Sequence, residues 1–167
     1  MPSSLELIKQ LREETGAGVM DCKRALERAD GDLAKAARIL AEEGIATAQK
    51  KAHRVTAQGL IEAYVHAGRI GAMVEINCET DFVARTPEFQ TLARELAMQI
   101  CASMPVVISE ADLSEGAEGN LDEMVLMRQP YIRDPSRTVQ DLVNEVIAKT
   151  GENIQVSRFA RFELGQG

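Results

Sequence analysis

The chain has 167 residues, 45% hydrophobic and 27% charged, and carries a net charge of −7; that length suits one medium domain or two small ones whose core needs no covalent staples. No apolar run approaches the roughly 18 residues of a membrane span, and an acidic chain with no Trp and 4% aromatics lacks the basic footprint and stacking platforms of a nucleic-acid binder, which leaves another protein as the expected partner. Cys22, Cys78 and Cys101 are odd in number and form no CxxC pair, so they are expected to be reduced and mostly buried, and the opening MPSSLELIKQLREE has neither secretory nor transit character, which implies a cytoplasmic location.

Ser3 with Glu6 makes a capping box, and Leu5, Ile8 and Leu11 recur at helical spacing until Thr15-Gly16-Ala17-Gly18. A second helix fits residues 19–29, with Cys22, Ala25, Leu26 and Ala29 on one stripe, stopped by Asp30-Gly31. Asp32 caps a third, in which Leu33, Ala36, Ala37 and Leu40 share a face and Gly44 closes the helix. Residues 45–54 read as a helical connector, so residues 1–54 make a three-helix module with its connector.

The period then changes. Ile61, Ala63 and Val65 alternate with Leu60, Glu62, Tyr64 and His66, and after the turn at Ala67-Gly68-Arg69 the residues Ile70, Ala72, Val74, Ile76 and Cys78 alternate with Gly71, Met73, Glu75 and Asn77. Period two across a short glycine turn predicts a β-hairpin. A helix starts with Pro87 at its first position and buries Phe89, Leu92, Leu96 and Ile100. Residues 109–124, with six acids and no base, read as an exposed loop or short polar helix. Val139, Leu142, Val143, Val146 and Ile147 then share a helical face that Gly151 caps, and a last strand over residues 154–164 has Ile154 and Val156 inward with Phe159 out of phase, which predicts either a bulge or a two-sided strand.

Residues 55–167 are therefore an α+β unit with a mainly antiparallel three-stranded sheet covered on one face by helices. The other face, carrying Leu60, Tyr64, Met73 and Phe159 or their opposites, stays wet in a monomer. Packing it against a second copy predicts a symmetric homodimer.

Catalytic and cofactor patterns are weak. Thr15-Gly16-Ala17-Gly18 lacks the Gly-Lys-Ser/Thr and the preceding strand of a phosphate loop and reads as a turn needing positive φ. Val19 and Met20 open a helix where polar residues are usual; core packing of at least one is the ordinary expectation and a partner contact the alternative. His53 and His66 assemble no triad or metal site, and Glu75, Glu79 and Asp81 have no electrophile-stabilising group beside them, so no catalytic residue, cofactor or metal is assigned. Thr80-Asp81-Phe82-Val83 sits in the corner between the second strand and the helix at Pro87. Either Phe82 or Val83 tucks beneath that helix, or Phe82 points outward as a wedge for another protein's cleft; composition does not choose.

Four stretches, LREETGAGVMDCKRAL (residues 11–26), the Gly31-Asp32 turn, VEINCETDFVAR (74–85) and KTGENIQVSRF (149–159), occur in this order, and the chain resembles the bacterial elongation factor Ts family, nucleotide-exchange factors for elongation factor Tu. The resemblance implies that residues 1–54 are a ubiquitin-associated-like module touching the partner's GTPase domain and that residues 55–167 are a single-copy core or dimerisation domain, as in the short type that works as a homodimer. It implies a factor acting by binding rather than an enzyme, engaging GDP-bound and nucleotide-free elongation factor Tu. It further implies that Asp81 and Phe82 intrude near the partner's magnesium site, that Thr80 and Val83 complete that motif, and that Leu11, Arg12, Gly16, Gly18, Val19 and Met20 belong to the surface pressed on the GTPase domain. Family members commonly have Met where this chain has Val19, and often insert helical residues in the acidic segment, which is short here between Pro105 and Pro130.

Overall fold

A computed structural model describes residues 2–167. Helix α1 (Ser4–Thr15) begins with the predicted box: the Ser3 hydroxyl accepts from the Glu6 N–H, and the Glu6 carboxylate accepts from the Ser3 N–H, so two donors that the helix cannot satisfy find partners. Gly16 ends α1 at φ 68, a left-handed conformation that a Cβ penalises. Gly18, by contrast, is extended at φ −64 and precedes α2 (Val19–Arg28). Asp32 caps α3 (Leu33–Lys51) by accepting from the Lys35 N–H. Leu11, Cys22, Ala25, Leu26, Ala29 and Ala36 close into one core, joined at its edge by Leu7 and Ile8. Leu5 is not part of it and lies exposed, because Leu7, Ile8 and Leu11 at i, i+1 and i+4 fill the inward stripe.

Gly44 does not close the third helix as expected; α3 runs through it to Lys51. A glycine inside a helix costs about 1 kcal/mol relative to alanine, and the second half of α3 recovers that by packing Ala48 on a second core and lying along a later helix, α7 (Val139–Thr150).

Strands β1 (Gln58–His66) and β2 (Ile70–Cys78) form the predicted hairpin, with His66 opposite Ile70 and Gln58 opposite Cys78. Two further short strands, β3 (Pro130–Tyr131) and β4 (Asp134–Thr138), pair with each other. Strand β5 (Gln155–Glu163) pairs antiparallel with β2, so the sheet order is β1-β2-β5. Glu75 faces Arg158 whereas Ile76 faces Val156; the extra residue, Ser157, is the bulge that brings Phe159 back to the inner face.

On that face Ala72, Val74, Ile76, Cys78 and Val156 are buried, with Leu60, Tyr64 and Phe159 packed at their margin. Helix α5 (Pro87–Ser103) lies across β1 and β2, and α7 packs on α5 and α3. Of the set Leu60, Tyr64, Met73 and Phe159 or their opposites, Met73 lies on the open face and the other three turn inward, because the bulge and the hairpin register set the inward phase. The open face carries Ile61, Val65, Met73 and Phe162, all exposed.

Residues 109–124 contain a 3-10 turn, Glu110–Asp112, and the short helix α6 (Leu121–Met124). The β3 and β4 pair that follows was not expected, since Pro130 and Pro135 interrupt any alternation there. A buried polar cluster anchors it: Gln99 on α5 donates to Gln129 and to the Pro130 carbonyl, and Tyr131 donates to Glu95 at 2.6 Å. Buried amides and carboxylates are tolerated only when paired in this way.

Candidate partner-binding site

Strand β2 ends at Cys78, whose side chain is fully buried. Burial, and then the charge of Glu152, push its thiol up to about 11. Thr80 then caps a single helical turn, α4 (Asp81–Ala84), by accepting from the Val83 N–H at 3.3 Å. Thr86 ends that turn by donating to the Val83 carbonyl at 2.7 Å and starts α5 by accepting from the Phe89 N–H. Two threonine caps six positions apart thus fix both ends of the corner. In one turn of helix the inward face holds two adjacent side chains, and these are Val83 and Ala84, 5% and 9% exposed. Phe82 is consequently left 77% exposed, and Asp81 beside it forms an outer ion pair with Arg85 at 2.7 Å.

The corner is held from behind by residues 151–153. Glu152 accepts from the Glu79 N–H (3.1 Å), the Thr80 N–H (2.9 Å) and the Thr80 hydroxyl (2.7 Å). Glu79 in turn accepts from the Asn153 N–H at 2.7 Å and pairs with Arg54, which together hold its carboxyl below the usual range. The Asn153 side chain donates to the Arg54 carbonyl at 2.8 Å, and Lys51 donates to the Gly151 carbonyl at 2.7 Å. The end of α3, the end of α7 and the corner meet at this joint.

The N-terminal residues divide. Val19 and Met20 are both exposed, 49% and 61%, so neither packs in the core as expected; α2 turns its inward stripe through Cys22, Ala25 and Leu26 instead. Leu11 is 0% exposed at the centre of the helical core. The expectation that it presses on a partner is corrected by this burial: it supports the surface from beneath. Gly16 faces the core unit, where a Cβ would overlap the Lys149 side chain, and Lys149 is itself paired to Glu145 at 3.2 Å.

Arg12, Gly16 and Gly18 from one unit and Phe82 and Val83 from the other line a single open cleft of about 1530 Å³, floored by Asn144, Glu145, Ala148 and Lys149 of α7. Val19, Met20, Thr80 and Asp81 lie outside its lining. Glu152, Asn153 and Lys149 were absent from the sequence-derived candidates. Their signal was membership of the stretch KTGENIQVSRF (149–159), which carries the family resemblance but does not say what the three side chains touch.

What these features define first is a class: a three-helix bundle joined to a helix-covered antiparallel sheet, an α+β chain whose most exposed apolar ring stands on a corner fixed from both ends. A sequence model of the family described as "Elongation factor TS" matches residues 27–119 and 115–166. Relatives named "Elongation factor Ts" include those of Carboxydothermus hydrogenoformans, 49% identical over 97% of this chain and 89% of the relative, and of Caldanaerobacter subterraneus subsp. tengcongensis, 50% identical over 98% of each. That of Thermotoga maritima is 48% identical over 100% of this chain and 98% of its own length. The chain belongs to the elongation factor Ts family and is a translation elongation factor. The Thermotoga alignment runs to 196 positions against the 167 residues of this chain, and the two family matches meet at residues 115–119, inside the acidic excursion.

Proposed function

We propose that this chain is the guanine-nucleotide exchange factor of elongation factor Tu, that it binds the GDP-bound and nucleotide-free forms, and that it loosens GDP through Phe82. The observation that carries the reading is the ring of Phe82, 77% exposed on a corner that hydrogen bonds hold at both ends. Burying ~150 to 200 Å² of aromatic surface at ~25 cal/mol/Å² makes available on the order of 4 to 5 kcal/mol as an upper bound, enough for roughly a thousandfold loosening of nucleotide. Factor and GDP each favour a different arrangement of the partner's site, so each weakens the other's binding equally. Asp81 accompanies the ring toward the magnesium site, while Thr80 and Val83 serve by capping and anchoring. Val19 and Met20, with Arg12 and the Gly16 to Gly18 turn, form the second contact, on the GTPase domain. The factor acts in the cytoplasm and makes or breaks no covalent bond.

The factor works as a homodimer joined through the open sheet face, where Ile61, Val65, Met73 and Phe162 stand exposed together. A separate core formed by α1, α2 and the first half of α3 supports a division into a ubiquitin-associated-like module, residues 1–54, and a dimerisation unit, residues 55–167, with the second half of α3 packed on the latter as the connector. The test is release of a fluorescent GDP analogue from elongation factor Tu in stopped flow, with and without this chain. Acceleration supports the reading, and binding without any change in the release rate overturns it.

A further inference from the structure

We propose that Glu152 is a positioning residue for Phe82: its carboxylate presets the corner from which the ring projects, so that the partner need not order that corner on binding. This rests on the exchange reading above. Phe82 is 77% exposed and belongs to neither core, so its direction is set chiefly by the backbone of residues 79–83. That backbone departs from the sheet at Cys78, where ladder hydrogen bonds end. Glu152 replaces them, with Oε1 accepting both the Glu79 and Thr80 N–H groups and Oε2 accepting the Thr80 hydroxyl proton.

The third bond matters for a specific reason. A threonine hydroxyl has one proton and two lone pairs; with its proton committed to Glu152, the oxygen is turned to accept from the Val83 N–H and cap the turn that carries Phe82. Glu152 is itself fixed, because it follows Gly151, whose φ of 74 ends α7, and precedes Asn153, which ties back to Glu79, Ala52 and Arg54. The corner is thus referenced to the ends of α7 and α3, the helix that continues from the N-terminal module. Preorganisation of this kind reduces the ordering cost of binding.

The kinetic signature follows from that distinction. The ring provides the push in the bound state, so its loss lowers the maximal release rate. Glu152 lowers the cost of reaching that state, so Glu152→Ala raises the concentration of factor giving half-maximal GDP release by ~10-fold, while the maximal rate stays within about twofold. Glu152→Gln keeps an oxygen for the two N–H groups and restores half-saturation to within about threefold of the parent. Amide hydrogen exchange provides a reading that needs no partner. In the parent protein the Glu79 and Thr80 amides exchange more slowly than those of Asp81 and Phe82, which open a helical turn and have no intrahelical partner; in Glu152→Ala the difference is lost.

Unchanged half-saturation in a folded Glu152→Ala protein overturns the proposal, as does a parallel fall of rate and affinity that only tracks the folded fraction. Should Glu152→Ala not fold, the amides of the parent and of Glu152→Gln decide, and fast exchange at Glu79 and Thr80 in the parent counts against the clamp. If the parent protein itself fails to accelerate release, the exchange reading falls, and the amide measurements still report whether Glu152 holds the corner.

Discussion

Phe82 and Val83 are consecutive residues of one helical turn with opposite environments: the valine is 5% exposed and the phenylalanine 77%. The turn at α4 can bury only its inward edge against the sheet and α5, and the smaller side chain fills it. The larger apolar group is left in water, where it contributes nothing to folding.

Stability and function should therefore separate at this pair. Val83→Ala removes buried methyl groups and leaves a small void, lowering the free energy of unfolding by about 1 to 2 kcal/mol in urea titrations. Phe82→Ala shifts the same titration by less than about 0.5 kcal/mol.

The open sheet face predicts the assembly. Met73 stands between Ala63 and Ala160, and Phe162 is opposite Gly71, so the two large side chains rise from a low surface. A second carboxylate there, two positions from Glu75 on the same face, exceeds the charge that Arg158 already balances and has to be dehydrated once the face is covered, so Met73→Glu should leave a folded monomer. Light scattering on the parent should give the mass of two 18.3 kDa chains at micromolar concentration, and the variant that of one.

Gly16 predicts a backbone cost that can be divided. Its φ of 68 penalises any Cβ, and that Cβ would also overlap Lys149. Gly16→Ala should lower stability by about 1 to 2 kcal/mol. Combining it with Lys149→Ala should recover the steric share and leave the conformational one, as read in a double-mutant cycle of urea midpoints.

Alkaline pH should expose the buried thiol. Burial raises the Cys78 thiol from 9.0 to about 11. The folded protein therefore keeps a proton that the unfolded chain gives up. Its contribution is complete below pH 9.0 and is lost as pH rises to about 11. Tyr131, buried against Glu95 and raised from 10.0 to about 12, has the same sign one unit higher. Cys78→Ala should make the loss between pH 9 and 11 shallower in denaturation curves, leaving the share of Cys22, whose thiol burial also raises from 9.0, and that of Tyr131 above pH 10.

Elements written in local pattern were legible: the Ser3 box, the hairpin from period two, the bulge as one of two readings of the phase of Phe159, and the Gly151 cap. Errors arose where tertiary contact decides. Gly44 read as a stop because local propensity disfavours it, yet packing of α3 on α7 carries the helix onward. Whether Leu60, Tyr64, Met73 and Phe159 or their opposites face outward is open in the sequence, because strand phase alone does not say which side the helices cover. At the site, the sequence named Phe82 but left its direction undecided, since choosing between Phe82 and Val83 required the position of α5. Glu152 was invisible as a partner of Thr80 because 72 positions separate them and neither has an unusual neighbour.

The most direct test is the rate of GDP release from elongation factor Tu at saturating concentrations of the parent and of Phe82→Ala, each verified as folded. The account predicts that the parent accelerates release strongly and that the variant, still binding the partner, loses most of that acceleration, by on the order of a hundredfold or more if the ring supplies about 3 kcal/mol or more. Equal maximal rates for the two proteins would contradict it.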